Sequence, residues 1–362
     1  MTKKRIVHLI QSLDNGGCEN FLLRSLPLLN EFEHIVITLK KRGELSSKFE
    51  KKNIKVILKN NLIKQLSAIN PDLIITYLFH ADMTGRLWIR PLTKYKVIPF
   101  LRTTYNHPKY WLPRLFEKLT KKFVKIYLAN SEAVKHFYYK SIGVDENKII
   151  VIPNGIDVKK INTIKPNSKL KQSLNLPKDN IIIICVANLA SNKGHKYLLK
   201  AFEMVYCKYP KIKLLLAGDG KEKNKLLNQI SNYQSKNNIL FLGKRNDAIA
   251  LLKISDIFIL PTLFEGMSNA LLEAMASKCA IITTDIPENR IMIDNATFVS
   301  TKNSQALTIA MNQLISKHKL RQSFGQMAFN EVATKYNLQD ITQRWTFFLK
   351  NQLAKLNPPD KN

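Results

Sequence analysis

The 362 residues exceed the length at which a single hydrophobic core stops growing, so two domains are expected. Hydrophobic residues make up 45% and charged residues 23%, which excludes a disordered or fibrous chain, and the longest apolar run, around residues 181–186, is far short of the ~20 residues that span a bilayer. Lys and Arg number 57 against 27 Asp and Glu, a net charge of +30 that favours polyanionic partners such as nucleic acid, an anionic membrane surface or phosphorylated substrates, although a Lys-, Asn- and Ile-rich genome composition gives the same excess.

The chain opens with basic residues and the apolar run 6–10, but Gln11, Ser12 and Asp14 follow at once, so this segment reads as a first strand and not as a secretory signal. A cytoplasmic protein is therefore expected. From there, apolar runs of strand length alternate with amphipathic stretches of helix length. The runs at 5–10, 34–39, 54–58, 72–77, 96–101, 126–129 and 149–152 fill the first half, and those at 181–186, 213–217, 239–242, 257–260 and 280–284 the second. Helical patterns at 18–29 and 195–208 lie between them. This alternation predicts parallel sheets with helical crossovers, an α/β architecture.

The sequence DNGGCEN directly after the first strand places Gly16 and Gly17 in a βα turn, where the missing side chains let a ligand approach the backbone and let the next helix start tightly. It is not GxGxxG, and on spacing alone an ordinary βα turn is the commoner explanation. Cys18, Cys185, Cys207 and Cys279 lie far apart without a CxxC pair, so neither zinc nor a disulfide framework is expected. Residues 110–126, YWLPRLFEKLTKKFVKI, interleave Trp111, Leu115, Phe116, Leu119 and Phe123 with Arg114, Lys118, Lys121, Lys122 and Lys125. At helical spacing this pattern is either a headgroup-lying amphipathic helix on an anionic membrane or a core stripe with a solvated face.

The pattern breaks after Pro153. Asn154-Gly155 forms a turn, and Lys165, Pro166, Asn167 and Ser168 make a polar stretch, so the boundary is placed near 165. The expected domains are 1–165 and 166–340, with a C-terminal helix and tail at 341–362 packing back on the first domain. Ligands of open α/β sheets bind beyond the carboxyl ends of the strands, so two such sheets are expected to face each other across a cleft.

In the second half, CVANLASNKGHKYLL runs from a strand through a loop to Lys193, Gly194 and a new helix, where Lys193 is either a point charge for an anion site at the helix start or, as most loop lysines are, merely solvated. The segment SDIFILPTLFEGMSNALLEAMASKCAII holds Glu265 on a loop and Glu273 in the following helix. Such carboxylates can bracket a ligand whose phosphates rest on the free N–H groups of Met267, Ser268 and Asn269; a capping Glu265 and a solvated Glu273 fit the segment alone equally well.

Taken together these segments resemble the retaining glycosyltransferases of family 4, which have two Rossmann-like domains, the GT-B architecture. The resemblance runs through Gly16, Gly17 and Glu19, ANSEAV at 129–134, VIPNGID at 151–157, Lys193-Gly194, LLLAGDG at 214–220, FLG at 241–243, and the E-x7-E pair Glu265 and Glu273. It implies that Glu273 binds the donor ribose, that Glu265 lies against the transferred sugar, and that the backbone of Gly266, Met267, Ser268 and Asn269 cradles the diphosphate with Lys193 neutralising it. Gly16 and Gly17 then approach the phosphates from the other domain, and Gly218, Gly243, Lys244 and Arg245 border the nucleotide. Two positions depart from the pattern. Asn188 stands where an arginine is usual, with Arg245 or Arg102 as the replacement cation, and Tyr105 occupies the register of a histidine near the reacting sugar, with His107 two residues on and His80 at another strand end.

No D-x-D occurs, so no metal and no other cofactor is expected, and the charge of the departing diphosphate falls to Lys193 and helix N-terminal amides. The resemblance implies transfer of a hexose-type sugar from a nucleotide-diphosphate donor, with UDP the expected base, to a glycan or lipid-linked acceptor of bacterial-type surface polysaccharide synthesis. The partners expected are that donor, that acceptor and an anionic membrane surface. The alternatives are another enzyme of the same fold, such as an epimerase, and a basic nucleic-acid-binding protein. For the last, no zinc-finger spacing, RNP aromatic pair or helix-turn-helix pattern is present, and no nucleic-acid partner is expected.

Overall fold

The computed structural model describes residues 3–105 and 108–355. It forms two compact units, one running to Gly155 and resuming at Leu338, the other spanning Ile156–Asn337. The first contains seven strands, β1 (Arg5–Ile10), β2 (Glu33–Thr38), β3 (Lys55–Leu58), β4 (Leu73–Tyr77), β5 (Val97–Leu101), β6 (Tyr127–Ala129) and β7 (Ile149–Val151), in the order β3-β2-β1-β4-β5-β6-β7. The second contains β8 (Ile181–Val186), β9 (Ile212–Ala217), β10 (Ile239–Gly243), β11 (Ile257–Leu260), β12 (Ala280–Thr284) and β13 (Thr297–Val299), in the order β10-β9-β8-β11-β12-β13. Every named pairing is parallel. Strand order reverses between β1 and β4 and again between β8 and β11, the doubly wound pattern of a Rossmann-like unit. All residues of β4, β5, β11 and β12 are buried, as parallel strands covered by helices on both faces must be.

The division falls at Gly155, not near 165. The polar residues read as a linker are helix caps: Asp157 accepts from the Lys160 N–H at 2.9 Å to open the Val158–Thr163 helix, and Asn167 accepts from Leu170 at 3.2 Å to open Ser168–Ser173. Asp and Asn favour both loops and N-caps for the same reason, a short side chain that bonds nearby backbone. Val158 and Ile161 are buried in the core of the second unit, which makes this stretch part of it.

The C-terminal helix starts at Leu338, three residues before the expected position, and returns to the first unit. Its Trp345, 2% exposed, meets Phe21 edge-on at 5.8 Å and Phe100 at 5.7 Å in the core over β1 and β5. Burying such a ring stabilises by about 3 kcal/mol. The polar tail beyond residue 355 lies outside the described residues.

The first sheet also buries a polar chain. His34 Nε2 lies 3.0 Å from the Leu29 carbonyl, which only accepts, so Nε2 carries the proton. His34 Nδ1 then accepts from His8 Nε2 at 3.0 Å, and His8 Nδ1 accepts from the Tyr77 hydroxyl at 2.8 Å. Burial holds both imidazoles neutral, lowering His34 to about 4 and His8 well below its ordinary value.

Cys18, Cys185 and Cys279 are buried and Cys207 is exposed, all as free thiols. Among the described residues no helix is long and apolar enough to cross a membrane.

Candidate active site

In an open α/β sheet, loops on either side of the point where strand order reverses leave a crevice at the carboxyl ends of the strands. In the second unit those loops follow β8 and β11, and they carry Lys193 and Glu265. Backbone contacts lock the two loops together: the Leu263 N–H and the Thr262 hydroxyl donate to the Asn192 carbonyl at 2.7 and 3.1 Å. Gly194, with φ +70, lies against the end of β11, where a Cβ would stand 1.9 Å from the Pro261 carbonyl oxygen. Only glycine fits there, and its position brings the Lys193 ammonium into an ion pair with the Glu265 carboxylate, 19% and 13% exposed respectively. The two candidates that the sequence placed 72 residues apart thus share one spot.

Beneath Lys193 sits a pair that sequence reading did not single out. Cys185 Sγ lies 3.7 Å from His195 Nε2, and burial pushes the thiol up to about 12 and the imidazole down to about 4, with the Lys193 charge lowering the latter further. Both stay neutral, so they are packing groups. His195 followed the Lys-Gly pair as an ordinary first helical residue, and nothing in the sequence marked its burial.

The next strand ends add a glycine-lined edge. Gly218, at φ +152, lets the end of β9 approach the loop after β8, where a Cβ would be 2.0 Å from the Ala187 carbonyl oxygen. Its N–H donates to the Gly243 carbonyl at 2.8 Å, and Gly243 itself faces open space. Asn188 and Lys244 are exposed beside these turns. Arg245, a cation expected in place of Asn188, is ion-paired in this structure. Its Nε and Nη2 donate to the two oxygens of Asp247 at 2.7 and 2.6 Å, and the pair holds that carboxyl below its usual range.

The Asn269–Ala276 helix starts within the same crevice. Ser268 is its N-cap, the hydroxyl accepting from the Leu271 N–H at 3.3 Å. The Ser268 N–H is not free as expected, since it donates to Met292 Sδ at 3.4 Å. Gly266 and Met267 are buried, Asn269 is half-buried, and Glu273 stands half-buried in the second turn between Leu272 and Ala274 of the core.

In the first unit the corresponding loops follow β1 and β4. Gly16 is the N-cap of the Gly17–Ser25 helix in extended geometry, and the Glu19 carboxyl folds back over it, so that a Cβ on Gly16 would lie 2.4 Å from Glu19 Oε2. Burial raises the Glu19 pKa. Arg102 lies over the Phe21 ring at 4.2 Å and donates from Nη2 to Asn154 Oδ1 at 2.8 Å, leaving Nη1 buried without a partner among the described residues. Tyr105 is a core residue, 6% exposed and packed edge-on against Phe79, Tyr110 and Phe137. Burial pushes its phenol well above the ordinary range, so it stays protonated. His80 is exposed on the Leu78–Thr84 helix, and His107 lies outside the described residues.

Two family models match, Glycosyltransferase Family 4 over residues 4–160 and Glycosyl transferases group 1 over 166–331. The chain belongs to glycosyltransferase family 4. It is similar to the capsular polysaccharide biosynthesis glycosyltransferase CapM of Staphylococcus aureus, 26% identical over 74% of this chain and 73% of that one. It is also similar to the N,N'-diacetylbacillosaminyl-diphospho-undecaprenol alpha-1,3-N-acetylgalactosaminyltransferase of Campylobacter jejuni, 28% identical over 80% of each. Other curated glycosyltransferases are matched over 58% and 48% of their own length. The crystal structure of Anabaena Alr3699/HepE in complex with UDP-glucose superposes with a TM-score of 0.85 at 20% identity, over 96% of this chain and 99% of that one, which shows the GT-B fold.

One further element of this glycosyltransferase was ambiguous in sequence. The Trp111–Thr120 helix does not bury its apolar stripe, for Trp111 is 65% exposed and Leu119 60%, with Leu115, Phe116 and Phe123 at 43, 39 and 38%. The core alternative for this stripe therefore fails. Lys118, Lys122 and Lys125 are exposed and Arg114 half-buried, whereas the Lys121 ammonium caps a turn by donating to the carbonyls of Ile142 and Gly143 at 3.2 and 2.8 Å. Lys121 is thus a structural residue as well as a surface charge. Among the described residues no group of three or more His, Cys, Asp and Glu is arranged to hold a metal ion.

Proposed function

We propose that this enzyme transfers a hexose-type sugar from a UDP-sugar to a glycan or lipid-linked acceptor in surface polysaccharide synthesis, with retention of anomeric configuration and without a metal. The observation that carries the donor half is the Lys193–Glu265 pair between the loops after β8 and β11. A donor diphosphate at this strand end meets the Lys193 ammonium and the start of the Asn269–Ala276 helix, both of which favour the negative charge that grows as the glycosidic bond breaks. The Ser268 N–H is held only by a thioether, a weak acceptor that a phosphate oxygen displaces. Glu273, in the second turn of that helix, takes the ribose hydroxyls, and Glu265 orients the sugar while fixing the Lys193 side chain. UDP is the nucleotide proposed because Alr3699/HepE is described with UDP-glucose, and a lipid-linked acceptor because the Campylobacter relative is named for a diphospho-undecaprenol substrate.

The acceptor half includes the membrane. The outward Trp111–Thr120 stripe, flanked by Lys118, Lys122 and Lys125, suits a helix lying in the headgroup layer of an anionic bilayer, each base contributing ~1 kcal/mol. A thermal-shift screen of UDP-, GDP- and dTDP-sugars tests the donor reading: a UDP-sugar at 100 times its dissociation constant stabilises the second unit by about 2.7 kcal/mol. Stabilisation by GDP-sugars with none by UDP-sugars overturns the choice of nucleotide, and stabilisation by no nucleotide sugar overturns the site.

A further inference from the structure

In the first unit, two neighbouring elements have their polarity turned inside out. The side chains that the Trp111–Thr120 helix buries are Glu117 and Thr120, 0% and 4% exposed, while its large apolar residues face outward. The segment that extends the Leu78–Thr84 helix shares this inversion in part, burying Arg86 as well as Gly85 and Ile89. There Arg86 is 1% exposed, whereas Leu87, Trp88 and Leu92 are 40, 65 and 61% exposed. Arg86 Nη1 joins the two elements by donating to Glu117 Oε2 at 2.5 Å and to Thr120 Oγ1 at 3.1 Å. Tyr138 adds a third contact, its hydroxyl donating to Glu117 Oε1 at 3.2 Å, and Phe79 meets Phe116 edge-on at 6.4 Å. A buried ion pair of this kind contributes little net stability over an apolar substitute, but it fixes how two elements sit against each other.

We propose that residues 87–92, with Trp88 at the tip, form a second membrane-inserting element, and that the Arg86–Glu117 pair holds it beside the Trp111–Thr120 stripe as one rigid two-pronged wedge. The proposal rests on the membrane reading above. It commits to an anionic bilayer as the occupant for two reasons on the surface itself. Exposed Lys94 and half-buried Arg90 flank the new prong as Lys118 and Lys122 flank the other, so the apolar tips are ringed by cations, the complement of acidic headgroups. A second copy of the chain would bring the same cations and a net charge of +30 against them. Tryptophan, with an apolar ring and one N–H, is suited to the boundary between headgroups and acyl chains.

Tryptophan fluorescence separates the prongs, because Trp88 and Trp111 are each 65% exposed and Trp345 is buried at 2%. Trp111→Phe leaves Trp88 as the surface reporter, and Trp88→Phe leaves Trp111. With vesicles of phosphatidylglycerol and phosphatidylcholine, both variants are expected to shift their emission to the blue and to be quenched by brominated acyl chains, and to do neither with pure phosphatidylcholine or in high salt. Paired Trp88→Ser and Leu92→Ser substitutions are expected to weaken flotation with the anionic vesicles by about tenfold or more, since two large apolar groups lose their burial. Quenching of Trp111 without Trp88 overturns the second prong and leaves the membrane reading standing. Quenching of neither overturns both. A dimer in solution that Trp88→Ser converts to monomer, with flotation unchanged, assigns the face to self-association and overturns the proposal.

Discussion

The buried imidazoles of β1 and β2 make the first unit sensitive to acid. Burial lowers His34 to about 4 against 6.5 for the exposed side chain, so between these values the folded state binds fewer protons than the unfolded state. Its contribution is whole above pH 6.5 and is lost as the pH falls towards 4. With the unfolded imidazole already half protonated at pH 6.5, and at ~1.36 kcal/mol per unit, the step from pH 6.5 to 5 removes about 1.6 kcal/mol for His34 alone, and His8, held down by burial and by His34, adds to it. Asp82 acts in the opposite sense, because burial raises it to about 8 and its carboxyl must keep a proton that the unfolded chain releases above the ordinary carboxylate range. A comparison with a variant that keeps Asp82 cancels that effect. His8→Leu, His34→Leu and Tyr77→Phe together remove the polar chain, so that only the Leu29 carbonyl loses a partner. Urea unfolding is followed through Trp345 in a Trp88→Phe, Trp111→Phe background. Between pH 6.5 and 5 the parent is expected to lose at least ~1.6 kcal/mol more stability than the variant. Equal losses refute the assignment of neutral, buried imidazoles.

Lys193→Ala is expected to lower kcat by about a hundredfold with little change in folding, as for loss of one preorganised donor to a developing charge; unaltered turnover with a UDP-sugar removes the electrostatic role of that side chain. Glu273→Ala is expected to raise the Kd for UDP measured by calorimetry about tenfold, the loss of one hydrogen bond to a charged acceptor, and an unchanged Kd places the ribose elsewhere. Gly194→Ala forces a Cβ to within 1.9 Å of the Pro261 carbonyl at φ +70, so the loops after β8 and β11 must part; a fall in Tm of several degrees with loss of UDP binding is expected, and a variant with parent-like Tm shows that the loops are not locked at this point. Transfer is expected to continue in excess EDTA, and strict dependence on added magnesium or manganese sinks the metal-free mechanism.

The strands were the most legible part of the sequence, and the reason is burial on both faces. Runs such as 181–186, 257–260 and 280–284 match β8, β11 and β12, because a parallel strand inside two helical layers is nearly continuously apolar instead of alternating. β13 went unread, since it is three residues at the sheet edge, of which only Val299 is buried, and gives no run. Lys193 and Glu265 were legible as site candidates through the resemblance, since a loop lysine and a capping carboxylate taken alone are common features of any fold. Their mutual pairing was not legible. It depends on the close approach of Gly194 to Pro261, a contact between loops that no spacing in the chain announces.

The Trp111–Thr120 helix shows where reading of this kind stops. Periodicity assigns a stripe to a helix, but the stripe is the same whether it faces a core or a lipid, so sequence left two alternatives of opposite orientation. What decides the orientation is the inner face, and there the residue is Glu117, which a core tolerates only with a counter-charge. That counter-charge is Arg86, 31 positions earlier, on a segment with its own outward Trp88. One buried ion pair thus accounts for both exposed stripes: once Arg86 and Glu117 are paired inside, the apolar residues on the opposite sides of their two elements have no protein left to cover them.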